Sequence, residues 1–395
     1  MSRVESPWDL PDRTITRAAD ADREIRISDF VLMSVLPVRS LAVAGLPVNE
    51  IAVALLVVLC LFRRARGGAR MPVPAGLLLG GLVVLLAYSG VVNQVDWTRR
   101  VGHLAIMAGI VWAGSTGRLS LRSAGFGLAA GLVAVVGLGV AGIGGDTYSG
   151  RLTGFLSDPN AGAYFLVVLG LLAIFFCDER AKVRAAVAVP VVAGLVLTYS
   201  RTGLLAAAFA VVWITVGRRL GSAGGIAVAG TLTWVVDNIP DDLVVYGPFS
   251  NRSGSDALRE RIIAQERVEL AGAPWFGNGP GTARVEVQEL EFFFHNSYLA
   301  TRQEGGWPAL LLVLALMAYA FVRLAPQARV GDLAAAGAQA ALIATAVMAV
   351  TLGEVLLDLP MGVAVAMSLG LALQRGLEHP PARRPTLNAP GATDG

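Results

Sequence analysis

The segment EFFFHNSYL, residues 291–299, holds a titratable and hydrogen-bonding pair, His295 and Asn296, among aromatic residues and just before a long apolar run. A neutral imidazole there could take a proton from an acceptor hydroxyl, while the amide of Asn296 orients the ring or binds a substrate. Two interpretations of His295 remain open, a general base or a hydrogen-bonded structural residue. The neighbouring aromatics, Tyr298 included, either position a substrate or form an interface belt.

Two arginines interrupt apolar sequence where a connection is very short or rich in turn residues. Arg201 lies in LTYSRTGLLA and Arg151 in SGRLTGFLSDPN. A desolvated guanidinium needs an anionic partner, or else it extends to lipid headgroups. Asp158 in the SDPN turn could pair with an arginine or cap the following helix. Arginines near one histidine suit a phosphate-containing leaving group, because guanidinium binds phosphate bidentately and stabilises developing charge.

Several other chemistries lack their motifs in this sequence. There is no phosphate-binding loop, dinucleotide fingerprint, nucleophile elbow or acidic pair with metal-ligand spacing. Lys182 is the only lysine, and no basic run is interleaved with aromatic residues, so nucleic-acid binding is not expected. Cys60 and Cys177 lie far apart and are interpreted as apolar packing residues. We expect neither a metal nor a cofactor.

The elements that must position these residues are apolar helices. Hydrophobic residues make up 55% of the 395 residues and charged residues 15%, with a mean hydropathy of +0.62, against about 25% charged in soluble domains. The sequence predicts an all-α, multi-pass membrane bundle of about twelve transmembrane helices. The expected spans are 28–44, 47–62, 72–92, 100–114, 121–143, 159–177, 184–199, 203–217, 220–236, 306–322, 333–353 and 360–374.

Arginine-rich connections occur at every second loop, which predicts that these loops and both termini are cytoplasmic. Arg99 and Arg100 break this pattern and are expected within a helix end. The predicted division is a disordered tail at 1–27, membrane segments at 28–236 and 306–375, a second tail at 376–395, and a large extracytoplasmic loop at 237–305. Loops of that length are commonly functional, and DALRERIIAQERVEL within it predicts a partly amphipathic helix.

Four stretches, in order, resemble the O-antigen ligase and O-antigen polymerase superfamily of bacterial membrane glycosyltransferases. They are RLTGFLSDPNAGAYF, LTYSRTGLLA, APWFGNGPGT and HNSYLATRQEGGWPALL. The resemblance spans roughly residues 30–375. It implies an inverting, metal-independent transfer of glycan from a polyprenyl-pyrophosphate-linked donor, outside the bacterial cytoplasmic membrane, to an acceptor hydroxyl on a glycan, lipid or protein.

The resemblance also implies roles for particular residues. His295 matches the required loop histidine, and Arg201 matches the arginine after the short hairpin. A further arginine of the loop helix is Arg261 or Arg259, because the family's following aromatic is replaced here by IIAQE. The earlier loop motif is matched by Arg151, as a pyrophosphate ligand, and by Asn160, as a positioning residue.

A transporter of lipid-linked glycan is the alternative from another class. Ion-coupled carriers place ionisable residues at mid-membrane, whereas the expected spans here are nearly uncharged away from their ends. Glu354 and Asp358 are interpreted as helix-terminus residues at the outer edge of the last pair of spans.

Overall fold

The computed structural model describes residues 25–145, 148, 150–237 and 253–378, and this part of the chain is mostly helical. Its thirteen helices are α1 (Ile27–Val35), α2 (Val48–Leu61), α3 (Val73–Val92), α4 (Thr98–Ser115), α5 (Leu121–Val140), α6 (Pro159–Phe176), α7 (Ala181–Leu197), α8 (Arg201–Thr215), α9 (Gly221–Asp237), α10 (Ser253–Ala271), α11 (Ser297–Arg329), α12 (Leu333–Met348) and α13 (Leu359–Glu378). Two antiparallel hairpins pair β1 (Ala42–Val43) with β2 (Leu46–Pro47) and β3 (Arg284–Val287) with β4 (Leu290–Phe293).

Each of the twelve expected spans overlaps one of these helices, and in ten of them the ends agree to within five residues. Helix α1 ends nine residues before the expected end, and α11 begins nine residues before the expected start. Within the described part, four helices are long and apolar enough to cross a membrane, namely α3, α5, α6 and α11. The bent pair of α8 and α9 brings the number to five if the two helices form one span. Many large apolar side chains on the outside of the bundle are exposed, such as Leu77 at 70% and Val189 at 69%, which suits an apolar surrounding.

Short polar residues begin several helices by accepting hydrogen bonds from the otherwise unpaired amides of the first turn. Asp158 caps α6 by accepting from the amides of Asn160 and Ala161 at 2.8 and 2.9 Å. Ser200 caps α8 and Asn296 caps α11 in the same way. The SDPN turn is therefore a helix start, and Asp158 acts there as the cap.

One end of the bundle, here called the basic end, collects the arginine-rich connections. Arg63 of the α2–α3 connection lies 2.6 Å from Asp29 near the start of α1, and Arg375 of α13 lies 2.7 Å from Asp332 between α11 and α12. Arg122 at the start of α5 lies 3.5 Å from Asp178 between α6 and α7. Alternate connections therefore meet at one end, as the charge pattern predicts.

The remaining connections meet at the opposite end, here called the loop end. The Leu152 amide donates to the Leu197 carbonyl at 2.8 Å, which joins the α5–α6 and α7–α8 connections. The Ser297 amide donates to the Ala349 carbonyl at 2.7 Å, which joins the start of α11 to the end of α12. The Arg99 and Arg100 pair belongs to this end and lies in the first turn of α4, within a helix end as expected.

Helix α11 is broken at Gly306, whose φ of +69° interrupts the helical backbone. The turn-rich segment 273–282 packs into the break, where the amides of Asn278 and Gly279 donate to the carbonyls of Gln303 and Glu304 at 2.7 and 3.0 Å. These bonds satisfy carbonyls that the break leaves without helical partners. The predicted span at 306–322 therefore corresponds to the second, longer part of α11.

The segment 237–305 contains a helix, α10, and the β3–β4 hairpin, where short helices alone were expected. The hairpin packs on α10 through a small apolar cluster that includes Ile262, Val285 and Phe294. Helix α13 continues to Glu378, three residues into the segment predicted as a disordered tail. The predicted tail at 1–27, apart from its last three residues, and the rest of the C-terminal tail lie outside the described residues, as do residues 238–252.

Candidate functional site

His295 lies between the hairpin and α11, next to a buried carboxyl group. The Glu266 Oε1 atom accepts the backbone N–H of His295 at 2.5 Å, and the Nδ1 atom of His295 lies 3.9 Å from the same oxygen. The Glu266 side chain is fully buried, whereas the His295 side chain is 31% exposed. The imidazole is thus partly open to a ligand while a carboxyl group supports it from the protein interior.

Burial raises the pKa of the Glu266 carboxyl to about 7, against an ordinary 4.5. The sequence analysis missed this residue, although a pattern could have revealed it. Leu258, Ile262, Glu266 and Leu270 recur every four residues and form one face of α10, and Ile262, Glu266 and Leu270 are all buried. A glutamate in an otherwise apolar helical row needs a specific partner, and here that partner is His295.

The residues after His295 fix this segment to the α12–α13 connection. The side-chain oxygen of Asn296 caps α11 by accepting from the amides of Tyr298 and Leu299 at 2.9 and 3.2 Å. The Ser297 hydroxyl accepts two amides of that connection at 3.1 and 2.9 Å. The Tyr298 hydroxyl donates to the carbonyl of Ala346 at 2.8 Å. The position of His295 therefore depends on the last two helices.

Arg151, Asn160 and Arg201 belong to a second group at the loop end. The Arg151 guanidinium donates to the Thr198 carbonyl at 2.8 Å and to the Asn160 side-chain oxygen at 3.3 Å. Thr198 is three residues before Arg201, which begins α8 after its Ser200 cap. The structure thus brings together the two motifs that the sequence could only place on the same side.

The same connection links this group to the His295 segment. The hydroxyls of Thr202 and Thr351 lie 3.0 Å apart, and Thr351 is two residues after Ala349, which accepts the Ser297 amide. The residues that follow Arg201 and His295 therefore both contact the region where α12 ends and the α12–α13 connection begins.

Of the two loop arginines left open by the sequence, Arg261 is exposed on α10, next to the buried Ile262. The side chain of Arg259 lies outside the described residues. Within the described part, Arg284 pairs with Glu291 across the hairpin at 2.8 Å and stacks 4.7 Å from the ring centre of Phe293. The choice between Arg261 and Arg259 stays a prediction.

A polar cavity of about 440 Å³ opens at the loop end on the Phe294 side of this segment. It is lined by charged groups from four parts of the chain that are far apart in sequence. The charged side chains and the one imidazole that line it belong to Arg39, Glu50, Asp96, Arg99, Arg100, His103, Arg284, Glu304, Glu354 and Asp358.

Arg100 forms the centre of this lining. Its guanidinium lies 2.9 Å from Glu304 and 3.5 Å from Glu354, and the imidazole of His103, one turn further along α4, lies 3.0 Å from Glu50. The interpretation of Glu354 and Asp358 as simple terminus residues is incomplete, since both line the cavity. Sequence reasoning missed the cavity because its walls come from connections whose packing no local pattern encodes.

An apolar groove of about 340 Å³ lies among α9, α11 and α12. Tyr298 lines it together with small and apolar residues such as Gly225, Met317, Phe321 and Ile343. Phe294 therefore lines the charged cavity and Tyr298, four residues later, lines the apolar groove, with His295 between the two in the sequence.

In the described ranges, no group of three or more His, Cys, Asp or Glu side chains could hold a metal ion. Cys60 and Cys177 are free and buried. The chain matches no protein-family model and no curated protein. A functional assignment must therefore rest on the site itself.

Proposed function

We propose that this protein is an integral-membrane glycosyltransferase that transfers or polymerises glycan from a polyprenyl-pyrophosphate-linked donor to an acceptor hydroxyl. The observation that carries the proposal is the segment Phe294–Tyr298, which borders the polar cavity at one end and the apolar groove at the other. A lipid-linked sugar has the same division, because an isoprenoid chain needs apolar contacts and a glycan needs hydrogen bonds. His295, between Phe294 and Tyr298 in the sequence, would act where the two parts of such a substrate join.

His295 would act as the general base in this reaction. The acceptor oxygen attacks the anomeric carbon, the bond from that carbon to the pyrophosphate oxygen breaks, and the acceptor proton passes to the imidazole. The polyprenyl pyrophosphate leaves with the bonding electron pair. The Glu266 carboxyl, whose Oε1 atom lies 3.9 Å from Nδ1, would stabilise the imidazolium by its charge when it is ionised. The reaction requires no cofactor.

Arginines would hold the pyrophosphate and stabilise its developing charge. Arg201 is the first candidate, because the residues that follow it and those that follow His295 contact the same region. Arg151, and Arg261 or Arg259, are the further candidates. Asn160 would set the position of Arg151 through their 3.3 Å contact, and Tyr298 would contact the isoprenoid chain in the groove that it lines.

The proposed setting is the bacterial cytoplasmic membrane, crossed about twelve times, with the basic end and both termini in the cytoplasm. Support comes from the arginine-rich connections at one end of the bundle, since such loops favour the cytoplasmic side. The loop end, with the segment 237–305, would then face outward. The partners are the lipid-linked donor, the acceptor and the bilayer, without nucleic acid.

The decisive variant is His295→Ala, and Leu290→Ala is its control because Leu290 is a 61% exposed residue of the same hairpin. Loss of a positioned general base typically lowers a rate by ~10²–10⁴. We expect His295→Ala to insert in the membrane at wild-type level and to form almost no product, while Leu290→Ala keeps its activity. Normal glycan transfer by well-expressed His295→Ala protein would refute the proposed chemistry.

Ligase, polymerase and protein-glycosylating reactions share this chemistry and differ in acceptor. Analysis of lipid-linked and surface glycans in a deletion strain separates them. Loss of repeat ladders with single units retained indicates a polymerase, and long chains left on the lipid carrier indicate a ligase. Accumulation of the donor on the cytoplasmic face would instead indicate a flippase and would contradict an enzymatic role.

A further inference from the structure

The polar cavity has a charge balance that is unusual for a pyrophosphate site. Four arginines and five carboxylates line it, so its formal charge is −1 with His103 neutral and zero with His103 protonated beside Glu50, which lies 3.0 Å away. A pyrophosphate carries several negative charges and would face these carboxylates at short range, where like charges repel strongly in a partly desolvated site. The cavity therefore offers no excess of positive charge to a multiply charged anion.

The same groups are well suited to hydroxyls. A sugar hydroxyl both donates and accepts, so a wall that alternates carboxylates with guanidinium groups can satisfy it in both directions. Glu304 accepts two N–H groups of Arg100 and Glu354 adds an ion pair at 3.5 Å, whereas a guanidinium has five N–H groups. The remaining capacity suits a ligand whose hydroxyls also bond to the carboxylates. Phe293 and Phe294 add apolar surface to the wall.

The cavity is also held in a defined shape. Arg100 is fixed from two directions, since Glu304 belongs to the broken helix α11 and Glu354 to the α12–α13 connection. The Glu304 side chain is only 4% exposed, and its backbone carbonyl accepts from the Ser89 hydroxyl at 3.1 Å. A site whose side chains are held before binding loses less entropy when the ligand arrives.

We infer that this cavity binds the uncharged or amino-bearing, hydroxyl-rich sugar part of the substrate and rejects acidic sugars and the pyrophosphate. The inference rests on the proposed function, which makes the substrate a glycan. The sugar could belong to the donor or to the acceptor, because both carry the same hydroxyl chemistry. The pyrophosphate would then remain at the junction near His295 and Arg201.

Glu354→Gln is the informative variant, because its side chain is 54% exposed and can be changed without opening the core. It keeps the size of the residue and removes the charge that faces Arg100. Glu378→Gln is a matched control at the basic end, where a 36% exposed glutamate pairs with Arg375 at 2.9 Å. Both variants are made in the full chain and placed in nanodiscs of phosphatidylethanolamine and phosphatidylglycerol.

The probes are the glycan released by mild acid from the lipid-linked donor of a deletion strain, digalacturonic acid and inorganic pyrophosphate, each titrated calorimetrically. We expect the released glycan to bind the wild-type protein and to lose roughly tenfold or more in affinity with Glu354→Gln, because a site built for hydroxyls depends on each partner. Glu378→Gln should bind like wild type. Digalacturonic acid should not compete, and pyrophosphate binding should not weaken with Glu354→Gln.

Two outcomes distinguish whether the bound sugar belongs to the donor or to the acceptor. Binding of the released glycan that depends on Glu354 assigns the cavity to the donor glycan. Absence of that binding, with a raised KM for the acceptor and an unchanged KM for the donor in Glu354→Gln, assigns it to the acceptor. The inference is overturned if Glu354→Gln changes neither the affinity for the released glycan nor the KM for the acceptor. It is also overturned if digalacturonic acid or pyrophosphate competes for this site.

These measurements separate the inference from the proposed function. The titrations need no turnover, so they report on the cavity even if His295 is not a base. Wild-type transfer by His295→Ala would remove the proposed chemistry and leave a binding result intact. Conversely, a loss of activity in His295→Ala with unchanged glycan binding in Glu354→Gln would remove only the assignment of the cavity.

Discussion

The buried carboxyl of Glu266 should make the stability of this protein depend on pH. Its pKa is raised in the folded state to about 7, from 4.5, because burial disfavours the charged form. Below pH 4.5 the group is protonated in both folded and unfolded chains. As the pH rises from 4.5 to 7, the unfolded chain releases its proton first, so the free energy of unfolding falls through this window.

The raised pKa of Glu266 corresponds to a fall of at most about 3 kcal/mol in the free energy of unfolding by pH 8. Glu266→Gln removes the ionisation and keeps an oxygen that can accept the His295 N–H, so this part of the pH dependence should vanish. The amide also buries new N–H donors, which costs about 1–3 kcal/mol if they find no partner. The diagnostic quantity is therefore the change in stability between pH 5 and pH 8, and not the stability at a single pH.

The two buried free thiols, Cys60 and Cys177, provide the assay. A thiol-reactive fluorophore reports their exposure during thermal unfolding in detergent, for wild type and Glu266→Gln at both pH values. Glu269→Gln is the control, since Glu269 is an exposed glutamate of the same helix. We expect a smaller pH-dependent fall in unfolding temperature only in Glu266→Gln. Equal falls in all three proteins would refute the role assigned to burial.

Three further predictions concern the fold. Gly306→Ala should prevent accumulation of folded protein, because a Cβ at φ +69° would meet the Trp275 carbonyl, whereas Gly80→Ala, where a Cβ meets nothing within 4 Å, should be tolerated; fluorescence-detected size-exclusion chromatography measures both. Ser297→Ala should lower the free energy of unfolding by about 1–3 kcal/mol per unpaired amide, because two buried backbone N–H groups lose their acceptor; denaturation of the purified protein would show no change if this is wrong. In intact cells, an impermeant maleimide should label Leu290→Cys and not Arg180→Cys, since these exposed positions lie at the loop end and the basic end; the reverse pattern would invert the proposed orientation.

Hydrophobic runs, charge clusters and turn residues encode this protein's helices locally. Each expected span overlaps a helix because an apolar run bounded by charge or by Pro and Gly has one favourable arrangement in an apolar environment. The Asp158 cap and the turn-rich segment 273–282 could also be predicted from neighbouring residues alone. The predicted secondary structure was wrong where tertiary packing decides the conformation. Examples are the hairpin of the large loop and the extension of α11 back to Ser297.

The candidate site likewise contains residues that the sequence indicates and residues that only the structure reveals. His295, Arg201 and Arg151 stand out in the sequence because a charged or titratable group next to an apolar run demands an explanation. Glu266 and Arg100 did not stand out as partners, since the partner of each is supplied by a distant segment: His295 is 29 residues after Glu266, and Glu304 is 204 residues after Arg100. Composition and periodicity thus determined that the chain is helical and apolar, and which residues invite a functional interpretation. Only the tertiary structure decided that the His295 segment contributes Phe294 to a charged cavity and Tyr298 to an apolar groove, because the other walls come from distant segments that meet through long-range packing.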